Sequence, residues 1–248
     1  MERKFEPVMS GGQQRPATGF PDRVIDVGPD RSSTNSAIVL RNTYWLLALT
    51  MLPTIVGAFV GIQFNFIGLF KAAPIMTPLL MFGAMLGSLF VVSKLRNSGW
   101  GVVALFGFTF VAGLMLTPLL TVAGGLRNGG QLVGLAGGMT AAIFFALATL
   151  ATVTKKDFSF MGKFLFIGLI LLIVASLANL FFQVPALSVA LSAIAVLIFS
   201  AYILYDVSRI VHGGETNYIM ATMGLYLSIY NIFASLLNIL MVFSGQRE

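Results

Sequence analysis

The sequence contains no cysteine, only one histidine and few charged residues. Without cysteine there can be no disulfide, no thiolate metal site and no thiol nucleophile. One histidine, His212, cannot form a multi-histidine metal site, so only carboxylates remain as metal ligands, and these favour hard ions. Charged residues make up 10% of the chain, whereas a soluble domain has about 25%. These shortages argue against a soluble metalloenzyme or a thiol enzyme.

The shortage of charge is regional. Asp, Glu, Lys and Arg are absent from six long, mostly apolar segments: 42–70, 72–93, 97–126, 128–154, 164–205 and 216–246. A membrane-spanning helix needs about 20 mostly apolar residues to cross about 30 Å of hydrocarbon. Each segment reaches that length, and the fifth is long enough for two spans separated by a turn at Pro185. The sequence therefore predicts an all-α integral membrane protein with seven transmembrane helices.

The expected organisation is a tail followed by one membrane domain. Residues 1–37 mix Gly, Pro, Ser and both signs of charge, so they cannot bury enough apolar surface to fold alone. We predict a disordered cytoplasmic tail over 1–37 and a seven-helix transmembrane domain over 38–248. The predicted spans are 42–62, 72–93, 100–121, 131–153, 161–182, 186–206 and 218–243.

Lysine and arginine residues set the predicted orientation, because they concentrate in cytoplasmic segments. With the N-terminus in the cytoplasm, twelve of the 15 Lys and Arg residues fall on that side, and only Lys71, Arg127 and Arg247 fall outside. Seven spans then place the C-terminus in the periplasm. The formal charge of +6 has the same explanation, so no nucleic-acid partner is expected.

A stripe of small and polar residues runs along the last predicted span. Its members are spaced four, three, four and three residues apart, which places them on one helical face: Gly224, Ser228, Asn231, Ser235 and Asn238. Lipid offers no hydrogen bonds, so this face should meet protein or water. The last helix is therefore predicted to be central. The stripe could pack against other helices or line a hydrated path for an ion or proton.

Asp206 ends the sixth predicted span on the cytoplasmic side. An ionisable residue at membrane depth is rare and is a functional candidate by default, while an interfacial acid in contact with water is the alternative. Arg209, three residues further on, is a candidate partner. Lys94 and Arg96 end the second predicted span on the same side of the membrane.

The segment HGGET, 212–216, predicts a turn between two antiparallel helices. Gly213 and Gly214 can end the first helix because glycine accepts left-handed geometry. Thr216 or Asn217 can cap the second helix, and Glu215 lies near its positive end. As a catalytic motif the segment is weak, and neither an enzymatic activity nor a cofactor is expected.

Several segments carry a resemblance to a known family. The segment 202–240, YILYDVSRIVHGGETNYIMATMGLYLSIYNIFASLLNIL, resembles the terminal signature of the Bax inhibitor-1 family, also called the transmembrane Bax inhibitor motif family. Its bacterial branch, typified by YccA, is similar to LRNTYWLLALT (40–50), TKKDFSF (154–160) and ANLFFQVPALSVALSA (178–193). The resemblance implies a seven-helix fold with the last helix central and a location in the bacterial inner membrane. It also implies that the protein binds and modulates the FtsH-type membrane protease.

A second activity implied by the family is a pH-sensitive calcium leak, which uses an acidic residue on each of the last two helices. The first acid matches Asp206, but the position of the second is Ser228. Serine removes the repulsion that makes two carboxylates titrate as a pair, and it removes one oxygen ligand. Lys94 and Arg96 are the candidates for the basic residue that pairs with the acid in the closed state. Modulation of the protease is therefore the expected function. A calcium or proton leak along Asp206, Ser228 and Asn231, with a degenerate acid pair, is the alternative.

Overall fold

Helices make up nearly all of the chain that the computed structural model describes, which is residues 30–154 and 156–245. Seven of the helices in this part are long and apolar enough to cross a membrane. The helices are α1 (Asp30–Gln63), α2 (Phe66–Ala72), α3 (Met76–Leu95), α4 (Trp100–Gly124), α5 (Gly129–Thr154), α6 (Gly162–Phe182), α7 (Pro185–Val211) and α8 (Tyr218–Gly245). The prediction of an all-α protein with seven spans is confirmed.

The predicted tail falls mostly outside the described residues, because the description begins at residue 30. The last part of the predicted tail, residues 30–37, forms the first turns of α1. The membrane-crossing part of α1 begins at Asn35.

The second predicted span, 72–93, differs at its start. The chain first forms the short helix α2, and α3 begins only at Met76. Ala73 is non-helical between the two helices, with φ −140° and ψ 76°. The residue before a proline is disfavoured in the helical region, so Pro74 explains the break.

The turn between α6 and α7 is built as the sequence predicted. Gln183 adopts the left-handed region with φ 52°, and the Val184 N–H donates to Asn179 Oδ1 at 3.1 Å. Pro185 is the first residue of α7, where its missing N–H would have had no helical partner.

Helices α1 and α4 approach each other closely through glycine. A Cβ atom at Gly57 would overlap the carbonyl oxygen of Phe110, and one at Gly113 would overlap the carbonyl oxygen of Thr54. Close backbone approach of this kind is how membrane helices gain packing contact without help from the hydrophobic effect. The Thr54 hydroxyl also forms a 2.7 Å hydrogen bond with the hydroxyl of Tyr226 on α8, which ties α8 to this helix pair.

Helix α8 lies at the centre of the bundle, as predicted. It packs against α1, α4, α5 and α7, and Leu225, Ile232 and Leu237 are fully buried. By contrast, α3 packs mainly on α4, and α6 packs mainly on α7. The last helix is therefore enclosed, whereas α3 and α6 lie at the periphery.

Candidate functional site

Asp206 lies on α7 at its junction with α8. Helix α7 continues for five residues beyond Asp206, to Val211, so the acid lies inside the helix and not at its end. The side chain is half-buried and rests against Gly224, where an added Cβ atom would lie 2.9 Å from Asp206 Oδ2. The missing side chain at Gly224 thus makes room for the carboxylate. Among the described residues, no hydrogen bond or ion pair reaches Asp206.

Arg209 is turned towards the following loop. Its Nη2 atom lies 3.5 Å from Glu215 Oε2 and donates to the carbonyl oxygen of Gly214 at 3.2 Å. The guanidinium also lies over the ring of Tyr205, 5.5 Å from its centre. The structure therefore places Arg209 on Glu215, although the spacing along the helix suggested Asp206 as its partner.

The two basic residues at the end of α3 also lie apart from the acid. Lys94 and Arg96 are both exposed. The Lys94 ammonium lies over the ring of Phe90, 5.4 Å from its centre. In the part of the chain that the structure describes, neither basic side chain forms an ion pair.

Ser228 lies close to Gly224, the same glycine against which Asp206 packs. The Ser228 hydroxyl is 2% exposed, which leaves it dependent on protein partners, and it donates to the carbonyl oxygen of Gly224 at 3.2 Å. One turn further on, Asn231 Nδ2 donates to the carbonyl oxygen of Leu227 at 2.8 Å. Ser228 and Asn231 therefore donate their hydrogen bonds to carbonyl groups of α8 itself, and Asp206 packs beside this part of the stripe at Gly224.

The second half of the stripe faces a cavity of about 590 Å³. Asn231 and Ser235 line this cavity together with residues of α3, α4, α6 and α7. Asn238 Nδ2 donates to Ser188 Oγ at 3.1 Å and to Ser192 Oγ at 2.9 Å. The cavity lies in the half of the bundle away from the α7–α8 turn, whereas Asp206 lies in the half next to it.

The turn between α7 and α8 is held by Asn217. Its Oδ1 atom accepts from the backbone N–H groups of Ile219 and Met220, both at 3.1 Å, so Asn217 caps α8. Its Nδ2 atom donates to the carbonyl oxygen of Arg96 at 2.9 Å and to Asn97 Oδ1 at 3.0 Å. Of the two predicted caps, the structure uses Asn217, and this residue also joins α8 to the end of α3.

A second connection on the same side was missed by sequence reasoning. The Ser208 hydroxyl accepts from the Phe158 N–H at 2.9 Å and lies 3.2 Å from the carbonyl oxygen of Lys156, to which it donates. Nearby, the Ser159 N–H donates to Asp157 Oδ1 at 2.8 Å, and hydrogen bonds from Ser159 lower the pKa of the Asp157 carboxyl. A single serine within an apolar helix gives no sequence signal for such a role.

The fold and this junction define a class of protein: a seven-helix membrane protein with an enclosed last helix and an acid packed against it. The family model for the inhibitor of apoptosis-promoting Bax1 matches residues 36–245. The chain therefore belongs to the Bax inhibitor-1 family.

Three bacterial relatives are similar to the chain over nearly their whole length. An uncharacterised protein of Pseudomonas aeruginosa is 44% identical over 207 residues, which is 84% of this chain and 90% of the relative. The modulator of FtsH protease YccA of Escherichia coli K12 is 39% identical over 226 residues, 88% of this chain and 97% of YccA. An uncharacterised protein of Campylobacter jejuni is 42% identical over 215 residues, 86% of this chain and 92% of the relative. The same E. coli protein in another strain is named an inner membrane protein.

Proposed function

We propose that this protein binds and modulates an FtsH-type protease in the bacterial inner membrane and has no catalytic activity of its own. The observation that carries the proposal is the similarity to YccA, which is named as a modulator of that protease and is covered over 97% of its length. The shared region includes all seven spans of this chain. The similarity on which the proposal rests thus covers nearly all of YccA and is not limited to one shared domain.

The α7–α8 junction supports a regulator more than a proton-gated pore. Ser228 stands where an acid pair would need its second carboxylate, and it is buried and bonded within its own helix. Arg209, the nearest cation along the helix, is already paired with Glu215. At this junction α7 and α8 therefore pack directly against each other, and neither Ser228 nor Arg209 is bonded to Asp206.

The proposed orientation places the N-terminus and the α7–α8 turn in the cytoplasm and the C-terminus in the periplasm. The excess of Lys and Arg in the segments on that side supports it. In this orientation the residues before α1 lie on the cytoplasmic side, where the protease could engage them.

Co-purification tests the proposal directly. The full chain with a C-terminal tag is isolated from bacterial membranes in mild detergent, and proteins that accompany it are quantified by mass spectrometry. An FtsH-type protease should be enriched over a tagged seven-span protein of another family expressed at the same level. Equal amounts of protease in both samples would overturn the proposal.

Two further measurements separate binding from modulation. The rate at which the protease degrades a membrane substrate should change as the amount of this protein is raised, and unchanged degradation would leave only binding. A variant lacking residues 1–28 should be turned over more slowly by the protease than the full chain. Equal turnover would remove the N-terminal segment from the mechanism.

A leak of calcium ions or protons is the second candidate, because one observation favours it. The Asp206 carboxylate has no ion-pair partner among the described residues, and the stripe beside it continues towards the cavity. Calcium flux into liposomes would be measured across pH for the native chain, Asp206→Asn and the control Asp157→Asn, which removes an exposed acid outside α7 and α8. A flux lost only in Asp206→Asn would establish the leak, whereas flux equal to that of empty liposomes would end it.

Ser228→Asp sharpens that test. The new carboxylate would share the space beside Gly224 with Asp206, and two close carboxylates cannot both ionise cheaply. If the leak mechanism applies, this variant should acquire a pH-dependent flux that the native chain lacks. A variant that folds and shows no flux at any pH would exclude the mechanism.

A further inference from the structure

We propose that the cavity beside the second half of the stripe is a binding site for a small neutral amphiphile, with one apolar chain and an uncharged hydroxyl or ester head. We call it the α3–α6 cavity. It is lined by Pro78, Leu79, Phe82, Met115, Leu169, Leu172, Ile173, Ser176, Leu177, Asn179, Leu180, Gln183, Ser188, Leu191, Ser192, Ala195, Phe199, Asn231 and Ser235. This site is independent of the proposed action on a protease.

The position of the cavity gives it access to the bilayer. Helix α3 packs on α4 and α6 packs on α7, and α3 and α6 share no packed interface. Both helices nevertheless contribute to the lining. The cavity is therefore bounded on one side by two peripheral helices that do not seal against each other, so a molecule dissolved in the membrane can enter between them.

The wall of the cavity nearest α8 carries hydrogen-bond donors and acceptors that the described residues do not use. Ser235 makes no hydrogen bond within the described residues, and Asn231 uses its amide N–H while its Oδ1 accepts from none of them. Ser188 and Ser192 accept from Asn238, so each still has its own O–H to donate. Such groups are costly to leave without a partner away from water, and a ligand with a polar head would satisfy them.

The rest of the lining is apolar. Leu79 and Phe82 of α3, Leu172 and Ile173 of α6, and Phe199 of α7 all contribute to it. A wall of this kind favours an alkyl chain over a fully polar solute. The combination of apolar sides and a polar inner wall matches an amphiphile whose head points towards α8.

Charge and size exclude other occupants. All lining residues are uncharged, whereas a calcium site needs six to eight oxygen ligands that normally include carboxylates. The volume of about 590 Å³ lies within the roughly 300–1,000 Å³ of small-molecule pockets. One turn of a helix, about 10 Å across and 5.4 Å long, would occupy on the order of 400 Å³, so a partner helix would fit for little more than a turn.

Photo-crosslinking of the full chain in phosphatidylcholine liposomes tests the site. The probe is a monoacylglycerol with a diazirine in its chain, and a lysophosphatidylglycerol with the same single chain is the charged comparison. One arm places the long-chain probe in the bilayer, and a second adds a short-chain, water-soluble form from the aqueous phase. Labelled peptides are located by mass spectrometry. Labelling in the first arm alone would identify a membrane lipid as the source, and labelling in both would identify a freely diffusing amphiphile.

Matched variants decide the outcome. Ser192→Leu fills the cavity from α7, and Ser200→Leu makes the same change on the same helix outside the lining. The neutral probe should label α6 and α7 peptides at the cavity, and Ser192→Leu should reduce that labelling at least about fivefold while Ser200→Leu leaves it unchanged. Equal labelling of the native chain and Ser192→Leu, or equal labelling by the charged probe, would overturn the proposal.

Asn231→Leu gives a second route if Ser192→Leu fails to fold. It keeps the number and branching of the side-chain heavy atoms but removes the free acceptor, together with the amide donor to Leu227. The native chain should label more strongly with the hydroxyl probe than with its methyl ether, and Asn231→Leu should lose that preference. A preference that persists unchanged in Asn231→Leu would overturn the assignment of the polar wall.

Discussion

Two glycines on α4 should respond differently to the same substitution. A Cβ atom at Gly113 would lie 2.9 Å from both the Thr54 carbonyl carbon and the Ala58 nitrogen, in addition to its overlap with the Thr54 oxygen. These are backbone atoms of α1 and cannot rotate away, so the two helices would have to separate. At Gly107, six residues earlier on α4, nothing lies within 4 Å of the added atom.

The magnitude follows from two terms. Alanine is favoured over glycine within a helix by about 1 kcal/mol, and this gain applies to both variants. Forced overpacking costs about 1–3 kcal/mol, and this loss applies only to Gly113→Ala. Gly107→Ala should therefore be stabilised, and Gly113→Ala should be less stable than Gly107→Ala by about 1–3 kcal/mol. For a chain of this size that difference corresponds to roughly 2–12 °C in Tm.

The assay is thermal unfolding of both variants and the native chain in one detergent at one scan rate, followed by circular dichroism. A common scan rate is needed because membrane proteins often unfold irreversibly, and the apparent Tm then depends on rate. Equal Tm values for the two variants, or a higher value for Gly113→Ala, would refute the close approach of α1 and α4.

Three further predictions concern the side of the bundle that carries the α7–α8 turn. Asn217→Ala should cost about 0.5–2 kcal/mol because α8 loses its cap, and Asn217→Asp, which keeps the cap, should recover part of the lost Tm; no recovery would show that the cap is not the source. Ser208→Ala should free the Phe158 N–H, so limited trypsin should cut the α5–α6 connection faster, and an unchanged rate would contradict the tie. Hydrogen bonds from Ser159 lower the pKa of Asp157 below its ordinary value of 3.8, so this small stabilisation is present above that value and is lost as pH falls through the folded pKa. The Tm of the native chain should therefore fall more below about pH 4 than that of Asp157→Asn, and parallel curves would refute this.

The membrane spans were predictable because charged residues are excluded from the hydrocarbon core of the bilayer. Long segments without charged residues therefore mark the helices. The ends were less predictable. Helix α7 runs five residues beyond Asp206 because nothing interrupts it until Gly213, which has φ 73°. The α2–α3 break depends on Pro74, near the start of the uncharged segment 72–93, and its effect on the backbone outweighs composition.

The site was predictable only where one helix determines it. The spacing of the stripe placed its residues on one face without any knowledge of neighbours. The partner of Arg209 depends on how the turn folds back: Asp206 is three residues away and Glu215 six, so spacing along the helix favoured Asp206, whereas the structure pairs Arg209 with Glu215. The α3–α6 cavity exists because α3 and α6 share no packed interface. No local sequence pattern indicates that two helices do not pack together.

Asn217 gives the bundle a mechanical property. Its amide joins the first turn of α8 to Arg96 and Asn97, just beyond the end of α3, although α3 and α8 share no packed interface. A force that pulls α8 out of the membrane along its axis is therefore transmitted to a peripheral helix. An extracting machine would therefore have to break these two hydrogen bonds, in addition to the contacts of α8 with α1, α4, α5 and α7, before α8 could leave without loading α3.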